Sequence, residues 1–351
     1  MPKTGTTALQ QFFYQNRGEL QARGITYPEL GLVGHCHHRI GASLYEPDKR
    51  PPFIRYPNTA TLTEYADQLR ESEDEVLLST ELMSWGFFAP LVKAAFRDIE
   101  IRPIVYLRRQ DAYIESLYRQ VVKGVEARDL EGYVKIYKWL DYREHILSGW
   151  IEQFGKGNML VRPYERTQFA GGSIYSDFLK SVFGWGLTDA FKLPDGDLNP
   201  RLKNSAIAFK LAVNRLDLTD EEKCRVGSLM EQTSCLKNSS QDSSTTNDSL
   251  MSPNLRRLIL NQCAESNAWI ARNMLGRRET SLFAEEVEKE GPPPDKMLLT
   301  PDTIRSMMAM LRDMDLEIWR KIVQTIELEL RESTGERRQD LEFFRNNFDA
   351  C

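Results

Sequence analysis

Apolar residues repeat at two different periods along the chain, and the alternation between those periods predicts its architecture. From Thr6 to Arg23, Leu9, Phe12, Phe13 and Leu20 recur at helical spacing, and Gly24 stops the helix before the extended stretch "ITYPE". A polar helix over 61–72 carries Leu62, Tyr65 and Leu69 on one face, and "EVLLSTE" (75–81) follows as a buried strand. Residues 91–99 are helical, "IRPIVYLRR" (101–109) is the clearest strand, and 110–124 returns to helix. A helix over 145–155, a strand in "NMLVRPYE" (158–165) and a helix in "SIYSDFLKSVFG" continue the alternation. Strand–helix alternation of this kind predicts an α/β fold, a parallel sheet with helices on both faces. Residues 201–216 and 255–275 are helical, separated by a polar low-complexity loop within 233–252. A Pro-rich linker (286–300) then leads to a helical tail over 301–351. There Ile304, Met308, Leu311, Ile318, Ile322 and Ile326 form an apolar stripe that reads as packing surface. These signals divide the chain into a main α/β domain (1–285), the linker and the tail.

Composition narrows the function classes. The 351 residues are long enough for a substantial core, and their net charge of -5 argues against a general nucleic-acid binder. Five scattered cysteines without metal-like spacing suit a reducing compartment. No signal peptide and no apolar run of membrane-spanning length is present, so the expectation is a soluble, cytoplasmic protein.

Two short stretches carry candidate chemistry. In "PKTGTT" (2–7), Gly5 permits close backbone approach to an anion, and the amides of Gly5, Thr6 and Thr7 lie at a helix N-terminus. The helix dipole favours negative charge there, and Lys3 adds a full positive one. Lys3 precedes Gly5 by two positions, whereas the nucleotide-triphosphatase loop places Lys directly after Gly. The plainer alternative is a helix start with a threonine cap. The second stretch is "YLRRQDAYIES", in which Arg108 stands at the carboxyl end of a strand and Ser116 two turns into the next helix. Ligands of open α/β sheets bind beyond such strand ends, and arginine grips phosphate with two prongs. The alternative here is a surface arginine paired with Asp111 or Glu115, and a serine in a local cap.

Together these stretches resemble the sulfotransferase superfamily of bacterial type, which uses 3′-phosphoadenosine 5′-phosphosulfate (PAPS) as donor. "PKTGTT" is similar to the family's 5′-phosphosulfate loop, and Arg108 and Ser116 keep the separation of its 3′-phosphate motif. "VLLSTE", "VRPYER" with "GGSIYSDFL", and "ESNAWIARNML" resemble further stretches of the same group, so the likeness runs over residues 1–285. It implies a P-loop-like α/β fold with Lys3, Thr4, Gly5, Thr6 and Thr7 around the phosphosulfate. Arg108 and Ser116 would sit on the 3′-phosphate, and no metal would be needed. It also implies a hydroxyl or amine acceptor, on a carbohydrate, glycolipid or small molecule, with release of the 3′,5′-bisphosphate PAP. In that family a strand precedes the loop, so the expectation is that the natural chain begins upstream of Met1.

Lys3 is the candidate stabiliser of the leaving oxygen, and three residues compete as proton acceptor. "GHCHHRIG" (34–41) offers His37 and His38, while Glu81 ends "VLLSTE" at the edge where chemistry belongs. The contiguous His35, Cys36, His37 and His38 fit a tetrahedral zinc site poorly, and an incidental polar loop stays open. Glu81 equally suits a structural pairing. Arg162 and Tyr164 border the nucleotide in this reading, and Trp85, Phe87 and Phe88 line either an acceptor cleft or the core. Two other readings stay open: a degenerate family member that binds nucleotide without turnover, and a P-loop kinase.

Overall fold

The computed structural model describes residues 1–50, 54–194, 202–237, 249–287 and 299–348. Most of the low-complexity loop and the Pro-rich core of the linker lie outside the described residues. The structure is 60% helix, with two small parallel sheets of two strands each. One pairs β1 (Ile25–Thr26) with β2 (Glu75–Val76), and the other pairs β3 (Ile104–Leu107) with β4 (Leu160–Pro163). All four strands fall inside the stretches expected to be extended, and both ladders are parallel. The expected single sheet is nevertheless two separate ladders, for local reasons. Pro28, Pro103 and Pro163 lack the N–H that would extend a ladder. Beyond Val76 the β2 stretch turns to another partner: Ser79 accepts from the His37 amide at 2.9 Å and donates its own amide to His37 Nδ1 at 3.0 Å.

Two compact units interleave along the chain rather than dividing at residue 285. The first comprises Met1–Gln110, Lys138–Leu198 and Ile259–Glu286. Its core gathers Leu9, Phe12 and Phe13 of helix Thr6–Gln15 with Ile25 and Tyr27, with Tyr106 of β3, and with Ile174 and Phe178. Burying each large side chain of this kind contributes about 1.5–3 kcal/mol. The predicted helix over 6–23 breaks at Asn16, whose side chain donates to Phe12 O and Lys192 O and accepts from the Lys192 amide. An asparagine that bonds backbone competes with the helix ladder. Elsewhere in this unit Gly86 and Gly149 touch backbone to backbone: a Cβ on Gly149 would sit 2.1 Å from Gly86 O.

The second unit comprises Asp111–Tyr137, Asn199–Leu258 and Val287–Cys351. The tail therefore belongs with the helices at 204–214 and 220–237 rather than standing apart. It folds as helices Pro301–Met314, Leu316–Glu332 and Gly335–Asn346. Thr300 and Asp315 cap the first two by accepting the amides of Thr303 and Ile318. All six residues of the predicted stripe are buried. Lys210 is buried here too, donating from Nζ to Gly124 O at 2.6 Å and to Asn214 Oδ1.

Candidate functional site

Helix Thr6–Gln15 begins without a side-chain cap, because its N-cap residue is Gly5, at φ 72°. The threonine-cap alternative therefore does not hold at this helix start. Thr4 is buried and its hydroxyl donates to Met1 O at 2.5 Å, which leaves only its backbone to face a ligand. Thr6 is half-buried and Thr7 exposed, so both hydroxyls stand at the rim of the loop. Lys3 also has positive φ, 61°, giving the tight reversal that turns consecutive amides toward one side.

The end of β3 meets this loop directly. Arg108 donates from Nη1 to Lys3 O at 2.9 Å, and its guanidinium lies 5.8 Å from the centroid of the Tyr164 ring. Tyr164 is fixed by its amide, which donates to Leu107 O at 2.6 Å. A Cβ on Gly5 would approach Tyr164 Cε2 to 2.9 Å, so loop, arginine and tyrosine are close-packed. Ser116 is half-buried on helix Gln110–Lys123, which starts two residues after Arg108. Asp111 and Glu115, candidate partners of Arg108, each pair with at least one other arginine. Arg256 bonds Asp111 Oδ2 and Glu115 Oε2, each at 2.6 Å, and Arg119 lies 3.4 Å from Glu115. Arg162 is committed to the fully buried Asp177, which also accepts from Tyr106 Oη at 2.7 Å.

The two histidine candidates separate cleanly. His37 is fully buried; Nδ1 accepts from the Ser79 amide at 3.0 Å, and Nε2 donates to Pro28 O at 2.9 Å. Burial pushes its pKa down to about 4. Both ring nitrogens thus hold backbone, a structural role. His38 keeps one edge toward chemistry: Nδ1 lies 3.0 Å from Thr80 Oγ1 and Nε2 lies 3.6 Å from Glu81 Oε1. Its ring stacks on Tyr56, with centroids 6.1 Å apart. Glu81 Oε2 accepts from Gln10 Nε2 at 3.2 Å, and Gln10 Oε1 accepts from Cys36 Sγ at 2.9 Å. The Met1 α-amino group, pushed down by burial to about 6, feels the Glu81 charge as well. Because Gln10 lies on the helix that begins behind Lys3–Gly5, that loop and the His38–Glu81 pair share one scaffold.

Gln10, Thr80 and Tyr56 escaped the sequence reading. Gln10 alone left a trace there, a polar residue on the apolar face of Leu9 and Phe13. Of the aromatics, Phe88 is core, while Phe87 (56% exposed) and Trp139 (43% exposed) form an open surface with Trp85. Among the described residues, no cluster of three or more His, Cys, Asp or Glu is placed to hold a metal ion. Among the same residues, no helix is long and apolar enough to cross a membrane.

No family model matches the chain, and no solved structure does. An uncharacterized protein of Archaeoglobus fulgidus is 30% identical to it over 195 residues, 54% of this chain and 51% of that protein. The chain thus spans about half the length of the curated relative it matches.

Proposed function

We propose that this chain is a PAPS-dependent sulfotransferase, a P-loop-like α/β protein that moves a sulfuryl group to a hydroxyl or amine of a carbohydrate, glycolipid or small molecule. The observation that carries this reading is the junction of the uncapped helix start behind Lys3–Gly5 with Arg108 at the end of a parallel strand. An anion in the loop meets backbone amides, a helix dipole and Lys3 together. Arg108 is suited to a second phosphate, the 3′ group that distinguishes PAPS from ATP, a role the resemblance divides between it and Ser116.

In the reaction the acceptor oxygen bonds to sulfur while the bond from sulfur to the 5′-phosphate oxygen breaks. The electron pair stays on that oxygen, and Lys3 neutralises the charge. The acceptor's proton passes to the His38–Glu81 pair.

Calorimetric titration of PAP, 5′-AMP and ATP tests the donor site. PAP should bind best, Arg108→Ala should weaken it roughly tenfold or more, and Lys3→Ala should slow turnover more than it weakens PAP. Equal affinity for PAP and ATP, or unchanged PAP affinity in Arg108→Ala, would sink the proposal.

A further inference from the structure

Glu81 and His38 do not stand alone. Each is held from behind by a neutral side chain, and both neutral partners are themselves fixed. Gln10 is buried, at 1% exposure, and bonded at both ends of its amide. A carboxylate accepts only, so the nitrogen of Gln10 must face Glu81 and its oxygen must take the Cys36 thiol proton. Burial first, and the Glu81 charge second, push the Cys36 pKa up to about 12, which keeps it a thiol and so a donor. The amide therefore has one orientation. It presents an N–H to Glu81 Oε2 and fixes where that carboxylate sits.

Thr80 does the equivalent for His38. Its Oγ1 accepts from the Leu82 amide at 3.3 Å, as the cap of a short turn, and lies 3.0 Å from His38 Nδ1. The Thr80 hydroxyl proton then points to Nδ1, and the ring's own proton goes to Nε2, the nitrogen facing Glu81. The opposite tautomer would aim a lone pair at a carboxylate. The 3.6 Å separation is longer than a hydrogen bond, and such contacts tighten when substrate is bound. The other titratable groups recorded around Glu81 are the Met1 amine, Tyr27, Cys36 and Tyr56.

We infer that Gln10 and Thr80 are positioning residues: Gln10 holds the Glu81 carboxylate through Nε2, and Thr80 turns the His38 Nε2–H toward it, so that the carboxylate takes the acceptor's proton. This rests on the sulfotransferase reading for its meaning, but its geometry is testable without turnover. The acceptor's O–H or N–H proton moves to a Glu81 oxygen as the new bond to sulfur forms. Solvent then removes the proton once PAP leaves.

Nuclear magnetic resonance on the full chain, with labelled histidine ring nitrogens and glutamate carboxyl carbons, tests it. Glu81→Gln and His38→Ala assign the two signals. His38 should show the Nε2-protonated tautomer at neutral pH. Thr80→Val should convert it toward the Nδ1-protonated form, and Thr80→Ser should restore it, which a packing role alone would not do. Gln10→Leu should move the Glu81 carboxyl carbon signal and leave the His38 tautomer unchanged. If Gln10→Leu fails to fold, Cys36→Ala, which frees the amide without touching Glu81, should move the same signal. An Nδ1-protonated His38 in the wild type, or an unmoved Glu81 carboxyl signal in the folded variant, overturns the assignment. A PAP titration alongside separates the two ideas. PAP preference with the wrong tautomer removes the positioning alone, whereas the expected spectra without PAP preference remove its catalytic role.

Discussion

At Gly5 the backbone is left-handed, with φ 72°, and Ile174 Cδ1 and Tyr164 Cε2 would both lie within 3 Å of any added Cβ. Gly5→Ala therefore meets backbone strain and a packing clash together. The expected loss of stability is about 1–3 kcal/mol, read from the urea midpoint, along with loss of PAP binding. An alanine variant as stable as the wild type would show that the loop does not adopt this conformation. The residue scale is also where the sequence said least. His37 and His38 are adjacent and chemically identical on paper. Their roles part only because Pro28 and Ser79 close around one, while Thr80 and Glu81 face the other. Ser79 and Thr80 each arrive from 42 residues along the chain, and no local pattern encodes them. Lys3, Gly5 and Arg108 could be singled out because their pattern is local: a glycine beside a helix start, and a cation at a strand end.

Helices were readable because their signal is periodic and strong. In the tail, Ile304, Met308, Leu311, Ile318, Ile322 and Ile326 recur at helical spacing and are all buried. Ile322→Ala removes a fully buried side chain from the middle of helix Leu316–Glu332 and should cost about 2–5 kcal/mol. Thermal or urea unfolding of the variant checks this, and a change within experimental error would mean the stripe does not pack as described. Strand positions were readable as well, but their length and pairing were not. Whether "EVLLSTE" continues a ladder depends on what lies beside it, and from Ser79 onward that neighbour is His37 rather than a strand. The Asn16 break had the same origin, since its side-chain partner Lys192 lies 176 residues away.

For the molecule as a whole, two buried groups set opposite ends of the stability profile. His37 falls from its ordinary 6.5 to about 4 because burial disfavours its charged form. Between those values the unfolded chain holds a proton that the folded one does not. Stability is therefore full above pH 6.5 and falls as pH drops toward 4. Lys210 falls from 10.5 to about 7, again through burial. From pH 7 up to 10.5 the unfolded chain again holds the extra proton, so this residue makes stability rise with pH over that window. Urea midpoints across pH 4–10 should show both slopes, and Lys210→Met should flatten the alkaline one. A slope at alkaline pH that is the same in Lys210→Met would assign it to another group. The interleaving of the two units was invisible in the sequence, where the Pro-rich linker looked like a boundary. Linker composition reports local stiffness, whereas membership of a unit is decided by which buried faces meet.

The backbone contact between Gly86 and Gly149 bears on how this protein can diversify. Neither position admits a side chain while the other stays in place, so a change at one needs a compensating shift at the other. Between them and Glu81 lies the segment that carries Trp85, with Phe87 just beyond. That segment is pinned at both ends, so a lineage can exchange its side chains freely but cannot easily move or lengthen it. Change there would therefore alter the chemistry of this open surface more readily than the course of its backbone.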